Sequence, residues 1–541
     1  MPRLNRVGAR KDIERVVLTD LLPYEVPLYF NNIKLYKALG SNSGHKLVRK
    51  ILDFSGETIP CKFHIAKRPA GTREMSIIHP AVQRQFANFY DQYDGHIGQL
   101  SARSKYSLRY PVRPASRYFD SRYVDQESPE SVDLDHVGYT PQSDFSSSYF
   151  AYRKYSHVYK FYESPEFLRL ERSHRFLLRI DVSKCFASLY THSLAWAVRG
   201  KDLAKDAKSR RGVDYFESRF DELMRNSNWG ETHGIPVGPE VSRIFCEIIL
   251  QKVDVEVERE VGNDVTIRRY MDDYFIFAQS EAAASSAENI IAEQLSYFGL
   301  YLNENKRHVQ RSPLISGLTV ARREVIALID SFMSEVVRSI DESTSRDGVA
   351  LGKGTPGHAD STARARRGEI LVRNIRATAR RYNVDYSGLA SPALAVIARQ
   401  LNSKVNRIKR NKTKISGGRV ASVQREISSV LQVIEFLYIS DIRASTSNKV
   451  ARVFLELADF SDAMGMGRSL LELHMLDIVK NAIATDGDAK LLDLLNALVA
   501  VQLICTDGRG LSEADVSSLL ARRTGSDRVE YLNMTAGIFL S

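Results

Sequence analysis

The 541-residue chain is predicted to combine an α+β first part with an all-helical second part. Short β-like apolar runs such as RFLLRID (Arg175–Asp181) and TIRRYMDDYFIF (Thr266–Phe277) occur among helical segments before residue 335. Residues 341–368 are instead rich in Gly, Ser, Thr, Asp and Pro. Beyond them, apolar residues follow helical spacing, as in Ile427, Val430, Leu431, Ile434 and Leu437. We therefore expect domains at 1–335 and 369–541, with a linker or loop at 336–368.

The composition is that of an ordinary globular protein. Hydrophobic residues make up 43% and charged residues 26% of the chain, which excludes a mostly disordered, collagenous or fibrous protein. No apolar run approaches the roughly 18 residues of a membrane span, and the N-terminus lacks the apolar segment of a secretory signal. The four cysteines include no CxxC pair, which disfavours a structural zinc site and a disulfide framework. We expect a protein of a reducing cytoplasm, without a membrane partner.

The net charge of +11 is concentrated in one segment. Lys353 to Arg425 contains seventeen Lys or Arg but only three acidic residues. Such a block predicts a polyanionic partner, nucleic acid first and an anionic membrane surface second. A solvated helical face explains the charge equally well. The candidate nucleic-acid contacts are Arg373, Arg376, Arg380 and Arg381.

Two acidic positions indicate metal-dependent chemistry. Asp272 and Asp273 are adjacent and lie between hydrophobic residues, where unpaired carboxylates are costly to desolvate. A hairpin tip that binds a divalent cation resolves that cost. Asp181 ends an apolar strand upstream, and carboxylates on neighbouring strands can bracket two metal ions. Nucleotidyl transfer uses such a pair of ions about 3.5–4 Å apart.

Three further motifs flank these acids. Lys67–Arg73 (KRPAGTR) is a basic hairpin suited to a triphosphate. Gly234–Pro239 (GIPVGP) is a Gly/Pro turn that opens a helical run. Gly299–Lys306 (GLYLNENK) follows the acidic pair.

In this order, the motifs resemble those of reverse transcriptases, over about Leu21 to Leu318. The resemblance implies a right-hand-like polymerase with fingers and palm, followed here by the all-α C-terminal domain. It implies that Asp181, Asp272 and the backbone carbonyl of Val182 hold two Mg²⁺ ions, with Mn²⁺ as an alternative. Asp273 would complete the acidic turn.

The resemblance also implies a dNTP site. Its residues are Lys67, Arg73, Phe186, Gly234 and Pro236. Lys67 and Arg73 would contact the triphosphate, and Phe186 would exclude a 2′-hydroxyl group. Lys306 occupies the position proposed to protonate the leaving pyrophosphate. The alternatives are that Lys306 is a surface lysine and Phe186 a core aromatic residue.

Two short sequence runs resemble one particular group of reverse transcriptases. YTHS (Tyr190–Ser193) and LPYEVP (Leu22–Pro27) are similar to bacterial defence-associated reverse transcriptases of the abortive-infection kind. AbiK, AbiA and the second polymerase subunit of type III defence-associated systems belong to this group. The resemblance implies antiphage DNA synthesis in the bacterial cytoplasm, often without a conventional template. It also implies a DNA product, a non-coding RNA, a partner reverse transcriptase subunit and a homo- or hetero-oligomer.

Two other functions compete with this one. The first is a catalytically idle scaffold that binds RNA through the basic segment, which the joint presence of Asp181, Asp272, Asp273, Lys67 and Arg73 disfavours. The second is a template-copying RNA polymerase, which the bulky Phe186 disfavours.

Glu25 is the candidate for a protein side chain that replaces the template. It lies between Tyr24 and Pro27 in an otherwise apolar stretch, and its carboxylate could accept a hydrogen bond from an exocyclic amino group of cytosine or adenine. The alternative is that Glu25 pairs with an arginine and fixes the N-terminal arm.

Overall fold

The computed structural model describes residues 13–23, 52–67, 71–115, 148–155, 157–206, 215–344, 366–411, 419–485 and 491–505, with a few short pieces between them. The described residues form two compact units. The first contains residues up to Lys62, those from Met75 to Val132 and those from His136 to Ile315. The second contains Phe63–Glu74 and the residues from Ser316 onward.

The strands are short and lie in the first part of the chain. They are β1 (Cys61–Ala66), β2 (Thr72–Ile77), β3 (Arg109–Pro114), β4 (Arg117–Tyr118), β5 (Phe145–Ser146), β6 (Phe150–Lys154), β7 (Phe176–Asp181), β8 (Val265–Tyr270), β9 (Asp273–Ala278) and β10 (His308–Arg311). Four of them form one sheet in the order β10-β7-β9-β8, with every neighbouring pair antiparallel. We call it the palm sheet.

Helices surround this sheet in the first unit. They are α1 (Val16–Thr19), α2 (Pro80–Ser101), α3 (Val158–Tyr162), α4 (Pro165–Ser173), α5 (Cys185–Ser188), α6 (Ser193–Arg199), α7 (Lys201–Lys205), α8 (Phe216–Asn226), α9 (Glu240–Glu260) and α10 (Glu281–Ser296). Helix α9 begins directly after Pro239, a residue that cannot donate a backbone hydrogen bond and so suits a helix start. The first two N–H groups of α9 donate to the carbonyl of Asp20, at 2.8 and 3.3 Å.

The palm sheet is buried on both faces. On one face, side chains such as Leu178, Ile180 and Ile276 join the main hydrophobic core, which includes α9 and α10. On the other, Leu177 and Phe277 pack in a smaller cluster with aromatic residues of α3 and α4. A strand buried on both faces reads as an almost continuous apolar run, which is why RFLLRID was recognisable in the sequence.

The second unit is built from long helices. They are α11 (Gly317–Thr344), α12 (Arg367–Arg381), α13 (Ala390–Asn411), α14 (Val420–Ser440), α15 (Ala444–Met464), α16 (Ser469–Thr485) and α17 (Leu491–Ile504). Helix α13 packs between α11 and α15, α17 packs on α15, and α12 packs between α11 and α14. Apart from the β1–β2 hairpin, the described part of this unit is helical, as the sequence predicts.

The predicted linker needs one correction. Helix α11 continues to Thr344, so residues 336–344 are helical and the first part of the 336–368 range is not a linker. Val336 and Ile340 are buried, and apolar burial at this spacing holds the helix in place. In the described part of the chain, no helix is long and apolar enough to cross a membrane.

Candidate active site

Asp181 and Asp273 lie opposite each other in the palm sheet. Asp181 is the last residue of β7 and Asp273 the first residue of β9, and the two are register partners. Tyr270 ends β8 and also pairs with Asp273, so Met271 and Asp272 form the turn between the strands. The three aspartates that the sequence singled out therefore converge at one end of the sheet.

The turn has a constrained backbone. Met271 has a φ angle of +57°, in the left-handed region that only glycine adopts at no cost. The carbonyl of Asp272 accepts a hydrogen bond from the N–H of Val182 at 3.2 Å. This bond ties the turn to the residue that follows Asp181. Val182 itself has a buried side chain.

Asp273 has a raised pKa at this end of the sheet. Asp181 is only 6% exposed, whereas Asp273, at the end of the inner strand β9, exposes part of its side chain although protein surrounds the carboxyl group. Burial by the surrounding protein, together with the negative charges of Asp272 and Asp181, raises the pKa of Asp273 to about 7. Such mutual repulsion indicates a site that favours positive charge.

Lys306 supplies a positive charge in this structure. It lies in a short 3-10 turn, Glu304–Lys306, that begins beside Asp181, since the N–H of Asn303 donates to the Asp181 carbonyl at 2.8 Å. The Lys306 Nζ atom is 2.5 Å from Oδ2 of Asp181. The hydrogen bond to Asp181 and the nearby negative charges raise the pKa of Lys306. The structure therefore brings Lys306 to the aspartates, although more than half of its side chain is exposed.

Phe186 faces a cleft beside the acidic turn. It is half-buried in α5, five residues after Asp181. The cleft is lined by Phe186, Met271 and Asp272, and also by Tyr152, Glu240 and Arg243. An aromatic ring in this position can limit what fits next to Asp272.

The Gly/Pro turn is bonded to the Phe186 segment. The N–H of Gly234 donates to the carbonyl of Leu189 at 2.8 Å, and the N–H of Ile235 donates to the carbonyl of Phe186 at 3.0 Å. Gly234 has a φ angle of +82°, so a side chain there would strain the backbone. Gly234 and Ile235 thus bond the turn to the segment that carries Phe186, and Pro236 is buried in the same turn.

Two further predicted residues lie on the β1–β2 hairpin. Lys67 and Arg73 are exposed on the β1–β2 hairpin, which the N–H of Lys67 closes by donating to the carbonyl of Gly71 at 2.9 Å. Both residues belong to the second compact unit. Glu25 lies outside the described residues.

The four predicted arginines are exposed on α12. The helix buries Leu371, Ile375 and Ala379 and leaves Arg373, Arg376, Arg380 and Arg381 on its surface. Arg373 lies 3.6 Å from Glu369, and Arg381 lies 2.8 Å from Glu324.

Arg269 was not predicted from the sequence. This fully buried residue of β8 donates a hydrogen bond to the carbonyl of Met271 at 2.8 Å. Two acids of α9, Glu247 and Asp254, neutralise it. A signal was present, because Glu247 and Asp254 are seven residues apart on one face of an apolar helix, but their partner could not be identified without the fold.

Comparison with known proteins identifies one domain of the chain. Residues 134–339, less than half of the chain, match the reverse transcriptase (RNA-dependent DNA polymerase) family. No curated protein gives a significant match.

The solved structures that match include telomerases from two Candida species. Apo telomerase from Candida tropicalis has 11% identity and a TM-score of 0.30, over 85% of this chain and 76% of that one. Telomerase from Candida albicans, in complex with a fragment of telomeric RNA, has 12% identity and a TM-score of 0.28, over 81% and 64%. A C-terminally truncated apo form from Candida tropicalis has 14% identity and a TM-score of 0.27, over 48% and 51%. The chain thus spans about half to two thirds of the first structures it matches.

The family match confirms the predicted fold class, a reverse transcriptase fold followed by a helical C-terminal region. It covers β7, the acidic turn, Phe186 and Lys306. The chain therefore contains a reverse transcriptase domain, and the three converging aspartates lie inside it.

Proposed function

We propose that this protein is a DNA polymerase of the reverse transcriptase type that adds dNTPs to a growing DNA strand. The observation that carries the proposal is the convergence of three aspartates at one end of the palm sheet, inside a reverse transcriptase domain. Asp181 and Asp273 are register partners, and Asp272 occupies the turn beside them.

The donor set fits magnesium. Mg²⁺ prefers oxygen ligands and is usually held by one or two carboxylates plus substrate phosphates. Among the described residues, no group of three or more acidic, His or Cys side chains is arranged to hold a metal ion by itself, so the proposed ions would need substrate phosphates as further ligands. Asp181, Asp272 and the Val182 carbonyl would hold the two ions, with Mn²⁺ as the alternative. When bound, the ions would activate the attacking 3′-hydroxyl group and neutralise the triphosphate.

Side chains of the protein would select the sugar, supply a proton to the leaving group and contact the triphosphate. Phe186, at the cleft beside Asp272, would exclude a 2′-hydroxyl group and so select dNTPs. Lys306 stays protonated because the hydrogen bond to Asp181 raises its pKa, so it would carry the proton that the leaving pyrophosphate takes up. The raised pKa makes Lys306 a weaker acid, so its donation would require that substrate and metal binding weaken its bond to Asp181. Lys67 and Arg73 would contact the triphosphate through the β1–β2 hairpin.

Nucleotide incorporation by the purified full chain tests this proposal. We would supply single dNTPs, mixtures of dNTPs and mixtures of rNTPs with Mg²⁺, and sequence the products. DNA made from dNTPs, and not RNA from rNTPs, is the expected result. RNA synthesis would favour the template-copying RNA polymerase. RNA binding without any synthesis would favour the idle scaffold.

We also propose that the DNA synthesis serves antiphage defence. The support is the YTHS and LPYEVP runs and their similarity to abortive-infection reverse transcriptases. The proposed partners are the DNA product, a non-coding RNA, a partner polymerase subunit and further copies of the chain. Cells that express the intact protein should reduce phage plaque numbers, and cells that express Asp272→Asn should not. Equal plaque numbers for both would remove the defence role and leave the polymerase proposal standing.

A further inference from the structure

The acidic turn adopts a backbone conformation that its own residues do not favour. A two-residue connection between antiparallel strands usually contains Gly, Asn or Asp at positions with positive φ. Here Met271 has that conformation, with a φ angle of +57°. Such a residue keeps a strained conformation only when surrounding contacts hold it in place.

Arg269 provides such a contact. Its Nη1 atom donates to the carbonyl of Met271 at 2.8 Å. The bond reaches forward two residues from β8 and fixes the peptide unit that joins Met271 to Asp272. The position of the Asp272 backbone therefore depends on where the Arg269 guanidinium lies.

The guanidinium is itself held rigidly. Besides the Met271 bond, its Nη1 and Nη2 atoms donate to the two carboxylate oxygens of Glu247 at 2.8 and 3.0 Å. Its Nε and Nη2 atoms donate to Asp254 at 2.8 to 3.0 Å. All five N–H donors of the arginine are used, and the side chain is 0% exposed. A lysine has three donors in a different geometry and cannot make this set of bonds.

The anchor is part of the fold's core. Glu247 and Asp254 belong to α9, and Asp254 also accepts a hydrogen bond from the hydroxyl of Tyr274 at 3.0 Å. Gln251, between them on the same helix, donates to Glu247 at 2.7 Å. Burying a cation and two carboxylates has a large desolvation cost. Apolar residues of the same volume often give equal or greater folding stability. The bond to the turn gives the cluster a role beyond stability.

We propose that Arg269 is a positioning residue for the reaction: it clamps the Met271 carbonyl and so sets the place of Asp272 in the metal site. The proposal rests on the proposed function, since Asp272 matters only if it holds metal. Arg269 touches neither substrate nor metal. It acts through the turn, and α9 supplies the rigid base from which it acts.

Arg269→Lys tests the clamp in the full-length protein. It keeps the buried positive charge and removes the forked geometry. Arg443→Lys is the matched control, because Arg443 of the second unit likewise bonds a backbone carbonyl, that of Ser387 at 2.7 Å, and a buried carboxylate, that of Asp441. Because a displacement of about 1 Å at a catalytic group can reduce turnover roughly 100-fold, we expect a kcat loss of that order in Arg269→Lys. The KM for dNTP should stay within about threefold, and Arg443→Lys should retain its kcat.

A second readout needs neither metal nor activity. In protein labelled with ¹³C-methyl methionine, the Met271 signal, assigned with Met271→Leu, reports the turn directly. Arg269→Lys should shift or split this signal in metal-free protein, and Arg443→Lys should leave it unchanged. An unchanged Met271 signal together with wild-type kcat in folded Arg269→Lys would overturn the proposal. If wild-type protein made no DNA, the proposed function would fail, while this signal would still show whether Arg269 holds the turn.

Glu247→Gln covers the case in which Arg269→Lys does not fold. The amide keeps the shape of Glu247 but removes the charge that fixes the Nη1 side of the guanidinium. A perturbed Met271 signal with a smaller loss of kcat supports the clamp. A wild-type signal and a wild-type kcat would contradict it.

Discussion

The buried carboxylate of Asp181 is stabilised by an ion pair with Lys306. An isolated carboxylate with 6% exposure would be costly, but Lys306 lies 2.5 Å away and compensates its charge. Lys306 comes from a segment more than a hundred residues later, and the backbone bond from Asn303 to Asp181 brings it there. The ion pair therefore depends on the local backbone, and not on a chance surface contact.

Phe186 carries the prediction on sugar selectivity. Phe186→Ala should open the space beside Asp272 and let rNTPs compete with dNTPs for incorporation. Phe186→Leu is the control, because it keeps most of the side-chain volume and should keep the preference for dNTPs. The measurement is the ratio of kcat/KM for dNTP and rNTP in each variant. If Phe186→Ala still rejects rNTPs as the wild type does, Phe186 is a core residue and not the gate.

Some residues of the candidate site could be predicted from the sequence and others could not. The three aspartates and Lys306 were identified from motif order, and the structure places them together. Arg269 was not, because its partners are 15 and 22 residues away on a helix. Which face of α9 meets β8 is decided by tertiary packing. The spacing of residues in the sequence does not show which face of α9 contacts β8.

At the scale of elements, the end of α1 is fastened to the start of α9 through Asp20. The Asp20 carbonyl accepts the first two N–H groups of α9, and its Oδ1 atom accepts the N–H of Tyr149 at 3.0 Å. The side chain is fully buried, and Oδ2 has no hydrogen-bond partner. Burial and the charge of Glu240 raise the pKa of Asp20 to about 7, although Tyr149, Thr19 and Arg15 oppose the shift.

This junction predicts a pH-dependent stability. A carboxyl group whose pKa is higher in the folded than in the unfolded protein destabilises the fold as pH rises from about 4 to 7. Because one pKa unit corresponds to about 1.4 kcal/mol, the ionised Asp20 should cost roughly 3–5 kcal/mol at pH 8. Asp20→Asn should therefore be more stable than wild type at pH 8, with an advantage that shrinks toward pH 5.

Urea unfolding of both proteins at several pH values measures this difference. Asp264→Asn, at an exposed position, is the control and should follow the wild type. An advantage of Asp20→Asn that is equal at pH 5 and pH 8 would show that ionisation of Asp20 is not the cause.

Elements were easier to predict than their ends. Strands β7, β8 and β9 and the helices of the second unit follow from apolar periodicity. The end of α11 does not follow from periodicity. A Gly- and Ser-rich segment comes directly after residues 336–344, so composition placed the end of the helix too early. Buried Val336 and Ile340 carry the helix further than composition indicates.

For the whole molecule, the three aspartates and the predicted phosphate-binding cations of the β1–β2 hairpin and α12 belong to different units. The aspartates lie in the first unit, whereas α12 and the β1–β2 hairpin with Lys67 and Arg73 lie in the second. The hairpin precedes the palm strands in the chain and was predicted within the 1–335 domain, but Phe63–Glu74 belongs to the second unit, which chain order does not indicate. The basic segment Lys353 to Arg425 is described only in part. Its residues 353–365 and 412–418 lie outside the described residues.

The exposed face of α12 predicts salt-dependent nucleic-acid binding. We choose Arg376 and Arg380, because Arg373 and Arg381 are near Glu369 and Glu324. Replacing both by Gln should weaken binding to single-stranded nucleic acid and lower the slope of log K against log salt by about two, since each lost phosphate contact lowers it by about one. Replacing Arg172 and Arg175, two exposed arginines of the first unit, by Gln removes the same charge as a control. An unchanged slope for the Arg376 and Arg380 variant would make α12 a solvated face.

The most direct test of the central claim is dNTP incorporation by Asp272→Asn and Asp181→Asn, with Asp264→Asn as the matched control. Each amide keeps the carboxylate's shape and removes its charge. If the three aspartates form the metal site, both variants should fold like the wild type and lose at least ~100-fold in rate, because several kcal/mol of electrostatic stabilisation disappear. Asp264→Asn should synthesise DNA at the wild-type rate. DNA synthesis by Asp272→Asn or Asp181→Asn at a rate close to that of Asp264→Asn would contradict the account.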